Sequence, residues 1–432
     1  VSGAGLGRDA LAAQLRAEAF GPAAAGPPRI GAEVELIPVV AETGAVVPVQ
    51  AVEGVSTLPL LRRFGAAHGW REEPSPYGVP RFVLPDGAAI SYEPGGQVEL
   101  SAAPAPSVHA LTAALRGVVL PLAAAFADAG VSLLSLGIEP RHGVDEIPLQ
   151  LPGTRYVRLT RFMEWLGTGG ARMMRQTASF QVSLDWGAAP LARWRLLNAL
   201  APHVVAAFAS SPVYRGAETG HRSFRAHVWR MLDGGRTGLL PCGTDPVGEY
   251  LAFALAAPAI LHPRPDGGFV PFAALDGRGE VSMDDWRTHL TTLFPEVRPK
   301  GFAEVRACDA VDPARYAAPL VLLAGIAYDA RAAAEAGALV GAPDPALLVR
   351  AGRDGLRDPA LAAAARDLAD IAMAGARRLG PALVSGAALE EAEAFFDAYT
   401  RRGRSPADDL SAAFAASASV LGADALAAAA EV

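Results

Sequence analysis

Polar and apolar side chains alternate most sharply in a few short stretches, and each sets an acid or amide against aliphatic neighbours. In residues 29–40, RIGAEVELIPVV, Glu33 and Glu35 fall on one face of a predicted strand and Val34 and Leu36 on the other. Residues 89–92 and 97–102 predict a strand pair around Pro94-Gly95-Gly96, a backbone able to turn sharply, with Glu93 and Glu99 bracketing the turn. Residues 177–186 put Gln181 and Ser183 opposite Phe180, Val182 and Leu184, and residues 302–307 put Glu304 and Arg306 on a common face. Residues 131–137, VSLLSLG, read as a buried strand.

Helical patterns fill much of the rest. The first twenty residues read as an amphipathic opening helix rather than a signal peptide, because they carry acids early and lack an apolar core segment. A helix is expected from Ser107 to Gly130, kinked at Pro121, and another over about 191–210. Beyond about residue 312 the chain is Ala-rich and helical; Asp358-Pro359 start one helix that Arg377, Arg378 and Gly380 end. Stretches 72–88, 139–156 and 222–241 read as irregular, the last with Arg222, Arg225, Arg230 and Arg236, many arginines for a loop. The end of 411–432 is expected to fray. No repeat at solenoid periods is present.

Composition narrows the class. At 432 residues and 51% hydrophobic, the chain can bury a sizeable core. The formal charge is −7, and every basic residue is arginine except Lys300, so arginines must do most anion binding. No basic stripe occurs, which argues against a nucleic-acid surface. Cys242 and Cys308 stand far apart with no zinc-ligand spacing, so a reducing cytoplasm is expected. Arg, Asp, Gly or Pro interrupts every apolar run before about 18 residues, so no membrane span is expected.

The chemistry lies in the acids. Glu33, Glu35, Glu93, Glu99 and Glu304, with Gln181, come from strands able to share one face; brought together without counter-charge they would repel and resist ionisation. Hard oxygen ligands without His or Cys spacing favour Mg²⁺ or Mn²⁺. Such a floor, with arginines to hold carboxylate or phosphate, suits phosphoryl transfer. GAGLG at Gly3–Gly7 lacks a preceding strand, no GxxxxGK[ST] loop is present, Lys300 lies in VRPKG, and no HExxH or GxSxG occurs.

A collinear set of segments resembles the plant-type and actinobacterial glutamate-cysteine ligases, within the carboxylate-amine ligases related in fold to glutamine synthetase. They are GAEVEL at 31, YEPGGQVELSAAP at 92, LGIEPRHGVDEIP at 136, TRY at 154, MMRQTASFQVSLD at 173, AAFASSP at 206, RAHVW at 225, RTGLLP at 236 and HLTTLFPEVRPKGFAEVR at 289. RDGLRDPALAAAARDL and YTRRGRSPADDL look most like the ergothioneine-pathway members. The resemblance implies an α+β fold: a curved, mostly antiparallel sheet with flanking helices in one catalytic domain, 1–432, with a sheet-bearing core at 29–310 and a helical region at 311–432.

It also implies ATP-dependent joining of L-glutamate to L-cysteine through γ-glutamyl phosphate, toward ergothioneine or glutathione. By position, Glu33, Glu35, Glu93, Glu99, Gln181 and Glu304 would surround the metal ions, with Glu33, Gln181, Arg236 and Lys300 at ATP. Arg155, Arg225 and Trp229 would bind glutamate, and Arg236, Lys300 and Arg306 would meet phosphate and transition-state charge. Two departures bear on acceptor choice: Ser183, near the metal floor, stands where relatives usually have Asn, and Arg172, on the acceptor side, stands where plant relatives often have Asp. Alternatives are a same-fold ligase for another amine and a non-catalytic nucleotide or amino-acid sensor. A glycosidase would want two lone acids in an aromatic-lined cleft, and aromatics are 7% here.

Overall fold

The structure, a computed structural model, describes residues 5–21, 26–264 and 267–416. Its strands are β1 (Ile30–Val40), β2 (Arg71–Glu73), β3 (Arg81–Val83), β4 (Ala89–Tyr92), β5 (Val98–Ser101), β6 (Val131–Leu134), β7 (Ser179–Leu184), β8 (Val213–Tyr214), β9 (Ala217–Glu218), β10 (Thr237–Gly238), β11 (Phe294–Pro295), β12 (Val297–Pro299) and β13 (Ala303–Asp309). Nine form one antiparallel sheet in the order β12-β13-β7-β1-β5-β4-β3-β2, with β6 joined to the far half of β1. β8–β9 and β10–β11 are separate two-stranded pairs.

The helices are α1 (Arg8–Gln14), α2 (Thr57–Ala67), α3 (Val108–Ala127), α4 (Thr154–Leu166), α5 (Thr168–Gln176), α6 (Pro190–Ala207), α7 (Phe224–Arg230), α8 (Pro246–Ala256), α9 (Phe272–Asp276), α10 (Met283–Leu290), α11 (Ala317–Tyr328), α12 (Ala330–Val340), α13 (Pro345–Asp354), α14 (Pro359–Leu379), α15 (Gly386–Ala398) and α16 (Pro406–Ala416). The sheet and flanking helices are the α+β arrangement expected. Its aliphatic face, with Val34, Leu36, Phe180, Val182 and Val305, is buried; α11, apolar on every side, packs against β7 and under α14 and α15. Burying such side chains contributes about 1.5–3 kcal/mol each, and this fixes which face of the sheet is left for polar groups.

The N-terminal helix ends in a π-helical turn, Leu15–Ala19. Phe20 behind it packs on Trp186, Trp194 and Tyr250, while the Trp186 indole N–H donates to the Ala19 carbonyl at 2.8 Å. Ser107 caps α3 through the Ala110 N–H, and Asp358 caps α14.

Several expectations change. Helix α3 is continuous through Pro121 and, despite Arg116, is one described helix long and apolar enough to cross a membrane. Its Leu111, Leu115, Val119, Leu122 and Phe126 are buried, it packs on β1, β6 and α11, and Arg116 bonds Pro313 O and Glu391. One face of α3 therefore packs on the core of the protein, while the other is exposed. The stretch read as irregular at 72–88 holds β3 and part of β2, and that at 222–241 holds α7 and β10. The expectations for Gly3–Ala4 and for 417–432 lie outside the described residues.

Candidate active site

The sheet register explains why the acids meet, since residues paired across antiparallel strands share a face. Glu35 on β1 stands opposite Glu99 on β5, and Glu99 opposite Ser91 on β4. Glu33 stands opposite Gln181 on β7; Ser183 stands opposite Glu304 on β13, which stands opposite Arg298 on β12. This face floors a cavity of about 240 Å³. Glu33, Glu35, Glu93, Glu99, Gln181, Arg155, Arg225, Trp229 and Arg306 all line it.

Glu93 reaches the cavity because of the turn that follows it. Gly96 N–H bonds the Glu93 carbonyl at 2.8 Å, with Gly96 in the left-handed region at φ 93°. The Gln97 amide locks the turn by accepting from Gly95 N–H at 3.0 Å and donating to the Thr177 carbonyl at 2.8 Å. A Cβ on Gly95 would stand 1.9 Å from the Arg175 carbonyl oxygen. Only glycine lets the turn lie this close to the end of α5.

Charge is divided unevenly across the floor. Glu304 is fully buried, yet three cations hold it well below the usual carboxylate range against the penalty of burial: Arg298 Nε at 2.6 Å, Arg306 Nη1 at 3.0 Å and Lys300 Nζ at 2.7 Å. At the other end the shifts reverse. Burial, then Glu304 and Glu99, push Glu33 up to about 7. Burial, then Glu99 and Glu35, raise Glu93 well above its ordinary value, and burial first also raises Glu35 and Glu99. Glu35 accepts from Ser179 N–H at 2.8 Å and from Gln181 Nε2 at 3.0 Å, and Glu99 from the Ser91 and Ser101 hydroxyls. Gln181 Oε1 accepts from Arg306 at 2.6 Å, so its amide bridges the cationic and acidic ends.

The opposite wall is α7. Arg225 is buried, donates from Nη2 to the Arg306 carbonyl at 2.9 Å, and keeps an Nε without a partner; the Trp229 indole N–H one turn later is also unpartnered. The Trp229 ring has the Arg225 and Arg306 guanidinium carbons 5.7 and 5.5 Å from its centre. Arg155 is half-buried and bonds Thr291 at the rim. Lys300 lines an adjoining cleft of about 400 Å³, which shares Tyr77, Arg155, Thr291 and Arg298 with the cavity.

Two expected roles do not fit the positions found. Arg236, expected at ATP phosphate, does not line the cavity; it is fully buried and donates to the Thr292 and Pro258 carbonyls, with Asp233 beside its Nε. It braces the 291–294 segment behind the wall. Glu304, expected as a metal ligand, has both oxygens engaged by cations. Ser183 and Arg172, the two departures, also lie outside the cavity lining; Arg172 covers the Tyr214 ring at 5.1 Å.

Arg298 escaped the sequence reading, although VRPKG places it at period two from Lys300, as a strand requires. So did the apolar corner of Tyr77, Tyr156, Leu159, Met173 and Met174. Of these, Met173 and Met174 follow the inward face of α5, a pattern readable at period 3.6.

The donor set fits divalent cations bound together with phosphate. Among the described residues no three His, Cys, Asp or Glu side chains are gathered to hold an ion by themselves. Mg²⁺ usually takes one or two carboxylates, with substrate phosphates and water completing its shell. Four carboxylates with raised pKa values, and only one acid fully matched by arginine and lysine, suit that arrangement.

Residues 29–424 match the sequence model of glutamate-cysteine ligase family 2. The glutamate–cysteine ligase EgtA of Mycolicibacterium smegmatis is 38% identical over 346 residues, 76% of this chain and 78% of that protein. The chloroplastic glutamate–cysteine ligase of Nicotiana tabacum is 34% identical over 258 residues, 56% of this chain and 49% of that one. The crystal structure of a Francisella tularensis glutamate–cysteine ligase in complex with AMP superimposes with a TM-score of 0.56 at 12% identity, covering 94% of this chain and 88% of that one. At that identity the likeness concerns the fold.

Proposed function

Because the chain belongs to glutamate-cysteine ligase family 2, we propose that the acidic and cationic face of the sheet is where it joins glutamate to cysteine. The enzyme is an ATP-dependent ligase that forms γ-glutamylcysteine, ADP and phosphate. What supports the siting is one observation: a carboxylate floor and a cationic end meet in a single cavity with the unpartnered donors of Arg225 and Trp229. In this reading residues 29–310 carry the sheet and site, and the helices from α11 to α16 form the cover.

A glutamate γ-carboxylate oxygen attacks the γ-phosphorus of ATP and ADP leaves. The cysteine amine then attacks the acyl carbon; the C–N bond forms, the C–O bond to phosphate breaks, and the amine loses a proton. Arg225 and Trp229 hold glutamate, with Arg155 at the rim. Arg306, Arg298 and Lys300, anchored by Glu304, meet phosphate charge as it is transferred. Glu33, Glu35, Glu93 and Glu99 would hold Mg²⁺ or Mn²⁺, which when bound neutralises triphosphate charge. Tyr77, Tyr156, Met173 and Met174 form an apolar corner suited to the cysteine side chain, sulfur being soft and polarisable.

The test is ADP release with glutamate and, in turn, cysteine, alanine and 2-aminobutyrate. Cysteine is expected to be strongly preferred, Glu33→Gln to abolish turnover, and Arg225→Ala mainly to raise the KM for glutamate. Full activity in both variants overturns the siting; equal use of alanine overturns the acceptor.

A further inference from the structure

We propose that Asp309 is a positioning residue: a buried carboxylate that aims Arg225 at the substrate while being held back from neutralising it. The inference rests on the glutamate site described above. Asp309 ends β13, three residues beyond Arg306, and is 1% exposed. Its Oδ2 accepts from Ser210 N–H at 2.8 Å and from the Ser211 hydroxyl at 2.6 Å, and its Oδ1 accepts from the Ser223 hydroxyl at 2.8 Å. Arg225 Nη1 stands 3.8 Å from Oδ1, within ion-pair range but beyond a hydrogen bond.

The two hydroxyls explain how this reaches the cavity. Ser211 Oγ, while donating to Asp309, accepts the Arg225 backbone N–H at 3.1 Å. Ser223 Oγ, while donating to Asp309, caps α7 by accepting the Ala226 N–H at 3.0 Å. Asp309 therefore fixes the first turn of the helix that carries Arg225 and Trp229. Three neutral donors take three of its four lone-pair sites and hold the carboxylate in place, so it stands off the guanidinium at 3.8 Å instead of closing on it and consuming it. Arg225 keeps a nearby counter-charge that offsets its burial, and it keeps donors free for a ligand carboxylate. Gly137 maintains the geometry from behind, since a Cβ there would stand 2.4 Å from Asp309 Cγ.

Two variants separate position from charge. Asp309→Asn turns an amide N–H₂ toward either a serine donor or Arg225; Gly137→Ala leaves the charge intact and displaces the carboxylate. Initial rates of ADP release are measured while varying glutamate, cysteine and ATP separately, with melting temperature as a check on folding. Both variants are expected to raise the KM for glutamate about tenfold or more, with kcat and the KM for ATP changed no more than about threefold. A residue that merely supports the fold would lower the active fraction and leave every KM unchanged. Should one variant fail to fold, the other still decides. The inference is overturned if a folded variant keeps the wild-type KM for glutamate, or if the KM for ATP rises equally. Wild-type protein that releases no ADP with glutamate and cysteine would instead overturn the reading of the site itself.

Discussion

Substituting Gly95 by alanine tests whether the turn after β4 aims the acidic wall. The added Cβ would lie 1.9 Å from the Arg175 carbonyl oxygen and 2.6 Å from its carbon. Both are backbone atoms, so no side chain can swing aside, and either the turn or the end of α5 must retreat by roughly 1 Å. The turn is tied to its surroundings by Gln97 on Gly95 N–H and Thr177 O, and by Gln150 N–H on the Pro94 carbonyl at 2.7 Å. Overpacking costs about 1–3 kcal/mol, and each strained hydrogen bond adds about 1 kcal/mol; a loss of about 2–4 kcal/mol follows. A shift of that size carries Glu93 and Glu99 with it, and misplacement by about 1 Å can lower turnover about 100-fold. The assay is kcat for ADP release beside a denaturant melt, with Gly117→Ala as control. Gly117 is an exposed position inside α3, where an added Cβ would meet nothing within 4 Å, so alanine there should stabilise by about 0.5–1 kcal/mol and leave kcat unchanged. A folded Gly95→Ala variant turning over within twofold of wild type would refute the argument that this turn aims the acids.

Arg236→Lys should lower the melting temperature by several degrees, because one ammonium cannot reach both the Thr292 and Pro258 carbonyls. The KM for ATP should stay within about twofold, and a large selective rise would return Arg236 to the phosphate site. His203, buried on α6, has its pKa pushed down to about 4 by burial. Its neutral form is preferred in the native state, so its contribution is complete above about 6.5 and is lost as pH falls toward 4. Wild type should therefore lose about 2 kcal/mol relative to His203→Leu between pH 6.5 and 5. The comparison of denaturation at the two pH values cancels Glu33, whose raised pKa works with the opposite sign, and parallel behaviour of both proteins would exclude the effect.

The sequence was informative where one periodicity governed a whole element. Strand β1 was readable because Glu33, Val34, Glu35 and Leu36 alternate over a long run, and α14 because Asp358 and Gly380 mark both ends. Strand β3 was hidden because four residues between Pro80 and the Pro85-Asp86-Gly87 turn are too few to establish alternation. Helix α7 was hidden for another reason: FRAHVWR buries its first arginine and its tryptophan together, so the pattern that identifies an amphipathic helix is broken by the residues that serve the site. Arg236 shows the converse limit. Composition can say that arginines must bind anions, but whether a guanidinium faces a cavity or a backbone carbonyl depends on loops that meet only in the folded chain.

The opposing shifts across the floor give the site a direction. Glu304 stays ionised because Arg298, Lys300 and Arg306 surround it, and of these Arg298 and Lys300 lie at the edge that adjoins the second cleft. Glu93, Glu99 and Glu35 have no such partners in contact and hold protons more tightly than ordinary carboxylates. In the proposed reading a polyanion entering from the cleft would meet positive charge first, and Glu35, Glu93 and Glu99 would hold an accompanying divalent cation, whose charge would relieve the repulsion between these neighbouring acids. Gln181 joins the two ends, with Oε1 on Arg306 and Nε2 on Glu35. Replacing it with glutamate would extend the acidic end into the cationic one, so in the proposed reading a neutral amide at this position keeps the phosphate-binding and metal-binding halves distinct.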